Sequence, residues 1–193
     1  MKKLAIFISG RGSNMKAIVE QCDNGILKGI AKPVLVFANK ENAAGIVYAK
    51  SKNIPTLIHP SKGKKRTEFD QQVIGLLKEH DFDYIILAGY MRVLSAGFVQ
   101  HFEGKIINIH PADTQRHQGL GAYEWAYNQK LPFTMITIHY VDEGMDTGAI
   151  IAQHKVDLSG VDSLEEVEAR GLKVEHEHYS KTLRKLFLSE NNQ

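Results

Sequence analysis

The chain has a single cysteine, Cys22, so no disulfide can form within it and nothing points to an oxidising compartment. Charge of one sign is equally scarce. The formal net charge at pH 7 is only +2, which gives no electrostatic case for nucleic acid as the main partner. The basic run Lys62, Lys64, Lys65 and Arg66 is short and reads as a solvated loop. Long hydrophobic runs are missing. Two lysines precede Leu4 to Ile8, but that run stops at Ser9-Gly10, too early for a signal-peptide core or a membrane span. The expected location is therefore the cytoplasm, with no membrane partner. Linkers, repeats and low-complexity segments are also lacking. The 193 residues, of ordinary hydrophobic and charged content, suit one domain over 1–193 with its own core.

What is present is alternation. Leu4 to Ile8, Pro33 to Ala38, Thr56 to Ile58, Tyr84 to Ala88 and Lys105 to Ile109 are apolar, strand-like runs. Between them, Asn14 to Asp23 puts Met15, Ile18, Val19 and Cys22 on one helical face, and Ala43 to Lys50 also reads as a helix. Arg66 to His80 carries Phe69, Val73, Leu76 and Leu77 at i, i+4, i+7 and i+8, an amphipathic helix. Strands separated by helices imply βαβ units, hence an α/β fold with a mainly parallel twisted sheet and helices on both faces. The second half differs. Pro111 to Gly121 reads as a loop and Ala122 to Asn128 as a short helix. Phe133 to Val141 and Ala149 to Val156 suit a hairpin-like, antiparallel pair. Ser163 to Leu186 is mostly helical: Ser163 and Glu166 fit a capping box, and Gly171 is expected to interrupt the helix.

Open parallel sheets bind ligands beyond the carboxyl ends of their strands. Three segments leave such ends: Ser9 to Asn14, Gly89 to Arg92, and Asn108 to Pro111. A shared site built from them is the expectation. In the first, Gly10 and Gly12 allow a tight turn into a helix N-terminus, which favours an anion. The dinucleotide fingerprint would need a third glycine where Met15 stands, and Asn39, not an acid, follows the second strand. Gly-Lys-Ser/Thr is absent too. A monophosphate site fits these residues; so does a plain turn with Ser13 or Asn14 as a helix cap.

Asn108 and His110 lie two apart on a strand and face the same side. An amide and an imidazole so placed can both donate to one oxygen, as stabilising an oxyanion requires, and Pro111 fixes the exit from the strand. A lone histidine there would more often be structural. The segment Asp142 to Gly148 adds three carboxylates in a glycine-flanked loop. One of them beside His110 would raise the imidazole pKa and hold the imidazolium ready as an acid. A solvated turn is the bland alternative. The calcium-loop pattern is missing, and His176 and His178, at i and i+2 of a helix, do not make a zinc site, so no metal is expected.

Four stretches together resemble the glycinamide ribonucleotide transformylases, a family of folate-dependent formyltransferases. They are Ile8 to Met15, Leu87 to Leu94, Asn108 to Pro111 and Val141 to Gly148, and the similarity runs in order from about residue 3 to residue 180. The resemblance implies a Rossmann-related fold and formyl transfer from 10-formyltetrahydrofolate to the amine of glycinamide ribonucleotide, a step of purine biosynthesis. It implies a catalytic trio of Asn108, His110 and Asp146. It implies a phosphate loop at Gly12, Ser13 and Asn14, and a substrate-side glutamate at Glu175. Arg66, Met91, Arg92, Val93, Leu94 and Asn108 would line the folate site. The implied mechanism is direct attack by the neutral amine, with His110 and Asn108 on the developing oxyanion and Asp146 keeping His110 charged or relaying a proton. Cys22 has no part in it.

One stretch departs. After Asn-Ile-His-Pro the family usually runs Ser-Leu-Leu-Pro and a basic residue, whereas here Ala112 to Gln118 reads Ala-Asp-Thr-Gln-Arg-His-Gln. That change bears on the loop above the active site and on the choice of acceptor amine. An amino-sugar formyltransferase of the same fold is thus a rival. Formyltransferases acting on initiator tRNA carry a further C-terminal domain, and formyltetrahydrofolate hydrolases an N-terminal one, for which the chain is expected to have no room. A non-catalytic nucleotide-binding module is the alternative of another class. A monomer or a homodimer acting on small molecules fits each reading.

Overall fold

The computed structural model describes residues 1–190. The chain runs β1 (Lys2–Ile8), α1 (Ser13–Asn24), β2 (Ala31–Ala38), α2 (Gly45–Ser51), β3 (Thr56–Ile58), α3 (Arg66–Leu77) and β4 (Tyr84–Leu87). It continues through α4 (Ala96–His101), β5 (Ile106–His110), α5 (Ala122–Asn128), β6 (Phe133–Tyr140), β7 (Ile150–Asp157) and α6 (Leu164–Glu190). All seven strands join one sheet in the order β3-β2-β1-β4-β5-β6-β7. β3 to β5 along that order are parallel, and β6 and β7 are antiparallel additions at one side. Strand order reverses between β1 and β4, the place where open α/β sheets form ligand crevices.

Side-chain alternation explains why helices cover both faces. Leu4, Ile6 and Ile8 share a core with α1, α2, α5 and α6. Ala5 and Phe7 share the opposite core with α3 and α4. Strands buried on both sides must be continuously apolar, as Leu4 to Ile8 of β1 and the whole of β4 are. Each such Ile or Phe removed from water contributes about 1.5–3 kcal/mol. Pro33 is tolerated in an interior strand because the β1–β2 register shifts there, between Leu4 and Ala5. Tyr179 ties α6 to the sheet: its hydroxyl lies 3.1 Å from the carbonyls of both Leu87 and Ile107.

Four local expectations change. Leu76 is 37% exposed, and Ile74 takes its place on the buried face of α3, which ends at Leu77. α4, under two turns long, has too little periodicity to announce itself; Ser95 caps it by accepting from the Phe98 amide. The capping box at α6 is half-formed. Ser163 Oγ accepts from the Glu166 amide at 3.2 Å, but the Glu166 carboxylate reaches the Asp162 amide instead.

Gly171 does not interrupt α6, which passes through it unbroken. A Cβ at Gly171 would fall inside the Tyr123 ring. Close packing against α5, not a break, explains this glycine. Gly171→Ala sets about 1 kcal/mol of better helix propensity against overpacking of about 1–3 kcal/mol. Because the obstacle is a ring fixed by its own hydroxyl on Glu175, overpacking wins. The urea midpoint should fall; a midpoint at or above wild type would show that Tyr123 moves freely.

Candidate active site

Antiparallel pairing of β5 with β6 sets Asn108 opposite His139 and His110 opposite Thr137. The β6–β7 loop folds back over these residues and delivers Asp146. Its φ of 54° is left-handed, a conformation aspartate tolerates better than most residues and that often marks functional positions. One carboxylate then gathers the cluster. Asp146 Oδ2 lies 3.3 Å from His110 Nδ1 and accepts from the Gly119 amide at 2.8 Å. Its Oδ1 accepts from Asn108 Nδ2 at 3.2 Å and lies 3.5 Å from His139 Nε2. His139 Nδ1 donates to the Tyr140 carbonyl at 2.8 Å, and Asn108 Nδ2 is also 3.2 Å from His139 Nε2.

Protonation differs from the expectation. Burial pushes the His110 pKa below its ordinary value, outweighing the Asp146 charge and the His117 carbonyl, which pull upward. His110 is therefore neutral at neutral pH, not a standing imidazolium. Both of its nitrogens nonetheless face acceptors, Nδ1 the Asp146 carboxylate and Nε2 the His117 carbonyl at 3.1 Å. A neutral ring has one hydrogen to give. The charge-assisted bond to Asp146 takes it, leaving Nε2 as the basic atom. Burial also pushes Asp146 upward, but the His139 contact, the Gly119 amide and the charge of His110 hold it below the usual carboxylate range.

The cluster forms one wall of a cavity of about 560 Å³. Met91, Arg92, Val93, Leu94, Asn108, His110 and Asp146 all line it. Arg66 does not: it is exposed at the start of α3. Of the three strand-end loops expected to share a site, those after β4 and β5 line this cavity, and Ser9 to Asn14 does not. The glycine loop is its neighbour, joined through Ser9 Oγ, which accepts from the Met91 amide at 2.8 Å. Only Gly12 of its glycines is left-handed, with φ 68°; Gly10 needs no such freedom.

Gly12 is the N-cap of α1, and neither Ser13 nor Asn14 caps the helix by its side chain. Asn14 instead donates from Nδ2 to Glu175 Oε2 at 2.5 Å. Glu175 also accepts from the Tyr123 hydroxyl, and burial pushes its pKa up. Phosphate-loop and substrate-side candidates from opposite ends of the chain thus meet. Cys22 is buried in α1, with its thiol pushed up to about 12 by burial. Among the described residues, no group of three or more His, Cys, Asp or Glu is placed to hold a metal ion, and no helix is long and apolar enough to cross a membrane.

Sequence reasoning missed His139, Gly119 and Tyr123. The signal for His139 was a histidine inside an otherwise apolar strand run. The departing loop also differs from expectation. Asp113, Thr114 and Gln115 do not line the cavity; Gln118 does. Asp113 is occupied by the Gln115 amide at 3.0 Å, and Thr114 is buried.

The formyl transferase family matches residues 2–183 of the chain. A phosphoribosylglycinamide formyltransferase of Haemophilus influenzae is 39% identical over 180 residues, which is 93% of this chain and 84% of that protein. Its counterpart in Bacillus subtilis is also 39% identical, with 96% and 95% covered. The crystal structure of phosphoribosylglycinamide formyltransferase from Bacillus halodurans has a TM-score of 0.90 at 39% identity, covering 96% of this chain and 95% of that one. Sequence and architecture therefore agree along almost the whole length, and the chain belongs to the formyl transferase family.

Proposed function

We propose that the chain transfers the formyl group of 10-formyltetrahydrofolate to the amine of glycinamide ribonucleotide, in purine biosynthesis. The observation that carries this reading is the Asn108–His110–His139–Asp146 cluster at the wall of an apolar cleft. The cleft volume lies in the range of small-molecule sites, and Leu87, Val93, Leu94, Ile109 and Val141 offer a flat heterocycle apolar walls. Bound there, 10-formyltetrahydrofolate supplies the formyl carbon. Asn108 Nδ2 donates to the formyl oxygen as charge develops on it. His110 Nε2 takes up the proton shed by the attacking amine and passes it to the leaving nitrogen, so no net proton is consumed. The transient imidazolium finds Asp146 on one side and the His117 carbonyl on the other. Gly12, Ser13 and Asn14 take the acceptor phosphate at the α1 N-terminus, with Glu175 beside them. The acting unit is one domain over 1–193, whose last three residues lie outside the described ones. It works in the cytoplasm, as a monomer or a homodimer.

The test is a formyl-transfer assay with 10-formyltetrahydrofolate against glycinamide ribonucleotide and a panel of amino sugars. Turnover on the ribonucleotide alone is expected; preference for a sugar would overturn the acceptor, and binding without turnover would overturn the enzyme. Gly12→Ala forces a side chain into a left-handed position 3.0 Å from Met15 Cε. Losing one charge-assisted bond to phosphate should raise the acceptor KM about 10–100-fold. The folate KM should stay put. Equal loss of both would make the loop structural.

A further inference from the structure

We propose that His117 is a positioning residue for His110: its main-chain carbonyl, held in place by its own ring, is the acceptor that stabilises His110 once protonated. This rests on reading His110 as the proton carrier of formyl transfer. His117 belongs to the Ala112–Gln118 stretch, which departs from the family pattern, and its carbonyl oxygen lies 3.1 Å from His110 Nε2. The ring is packed between two others. It stacks on Trp125 with centroids 4.9 Å apart and planes at 17°, and faces His110 at 6.3 Å and 16°. Its Nε2 donates to the Leu120 carbonyl at 3.1 Å. Its amide, with that of Arg116, donates to the Asp113 carbonyl at 2.9 Å. The residue is thus tied at its amide, its ring face and its ring edge, and those ties fix where the carbonyl points.

The same strap holds the other side of His110. Two residues further on, the Gly119 amide donates to Asp146 Oδ2, the oxygen facing His110 Nδ1. One short loop therefore sets both acceptors of the imidazolium. Of the departing residues Gln118 alone lines the cavity, whereas Asp113, Thr114 and Gln115 stay out of it and His117 acts on His110 through its carbonyl.

The charged and titratable neighbours of His110 are Asp146 from the β6–β7 loop, His139 from β6 and His117 itself. His117 acts on His110 in two opposed ways. Its carbonyl favours the imidazolium, its ring charge disfavours it, and the carbonyl is the larger influence. His117→Ala frees the carbonyl, so His110 should bind its proton less tightly. His117→Phe keeps the amide tie and the stack on Trp125, but loses the ring-edge bond to the Leu120 carbonyl and any charge on the ring.

The experiment combines steady-state kinetics with NMR titration of the His110 ring in the free protein. For His117→Ala, kcat should fall about 10–100-fold, as for one hydrogen bond to a charged group, with both KM values little changed and the His110 midpoint lowered. His117→Phe, which keeps the stack on Trp125, should recover part of that loss, with the midpoint above that of His117→Ala. Trp125→Leu, which leaves His117 in place, should act in the direction of His117→Ala and tests the same tie if that variant folds poorly. An unchanged kcat and midpoint in His117→Ala would overturn the proposal, as would a phenylalanine variant as impaired as the alanine one. If wild type formylates no amine tested, the functional reading fails on its own, and the NMR midpoints still decide whether His117 controls His110.

Discussion

His110→Gln is expected to lower kcat about 10²–10⁴-fold, the range for a lost acid–base group, while both KM values change little. Glutamine keeps the bulk of the side chain and one donor but cannot carry a proton at neutral pH. The substrates would still be bound by the cleft wall and the phosphate end, so the loss belongs to the chemical step. Stability should respond in the opposite sense at acid pH. The folded pKa of His110 lies below its unfolded value near 6.5, so the unfolded chain binds the extra proton in the window between them. Wild type therefore loses stability as pH falls through that window, and His110→Gln is spared this increment. Denaturant midpoints at pH 7 and pH 5 check the sign, and turnover at pH 7 checks the chemistry. A variant retaining a tenth of wild-type kcat would remove His110 from the reaction.

Sequence legibility followed the length scale of each interaction. Buried strands such as Leu4–Ile8 and Tyr84–Leu87 announce themselves because apolarity on both faces is a local property. α4 does not, because six residues cannot show a helical period. Gly171 misled because the reason for it is the Tyr123 ring, 48 positions away in the chain. The site was half legible for the same reason. Asn108 and His110 are two apart on one strand, so their common direction follows from the pleat. His139 joins them only through β5–β6 register, and Gly119 only through the fold of the departing loop. The meeting of Asn14 with Glu175 spans almost the whole chain. The protonation of His110 was misjudged because proximity to a carboxylate is foreseeable, whereas the burial that outweighs it depends on every element packed around the ring.

That burial changes what Asp146 is for, and Asp146→Asn separates the two roles. If the carboxylate served only to keep His110 charged, its loss would matter through the protonated fraction alone. The neutral ring, which is the base, already predominates at neutral pH, so a lower pKa alone would leave the variant nearly as active as wild type there. The geometry assigns a different part. Asp146 Oδ2 accepts the Nδ1 hydrogen of His110 and so leaves Nε2 free as the base. An asparagine whose NH2 turns to Nδ1 would stabilise the other tautomer, with the hydrogen on Nε2 and the base pointing the wrong way. The imidazolium formed during transfer would also lose its counter-charge. The expected plateau of kcat is about 10²–10⁴ below wild type. The acid limb of the pH profile should also move to lower pH, since the upward influence of Asp146 on His110 is gone. Acceptor affinity, set at Gly12 to Asn14, should hold. Stability supplies an independent check. The folded pKa of Asp146 lies below its unfolded value near 3.8, so its ionised form stabilises the native state above that value, and this contribution is lost as pH falls through the folded pKa. The variant should therefore be less stable than wild type at pH 7, with the gap closing at strongly acid pH. Near wild-type turnover at pH 7, with the acid limb shifted as described, would reduce Asp146 to a modulator of His110 and leave the choice of basic nitrogen to the His117 carbonyl.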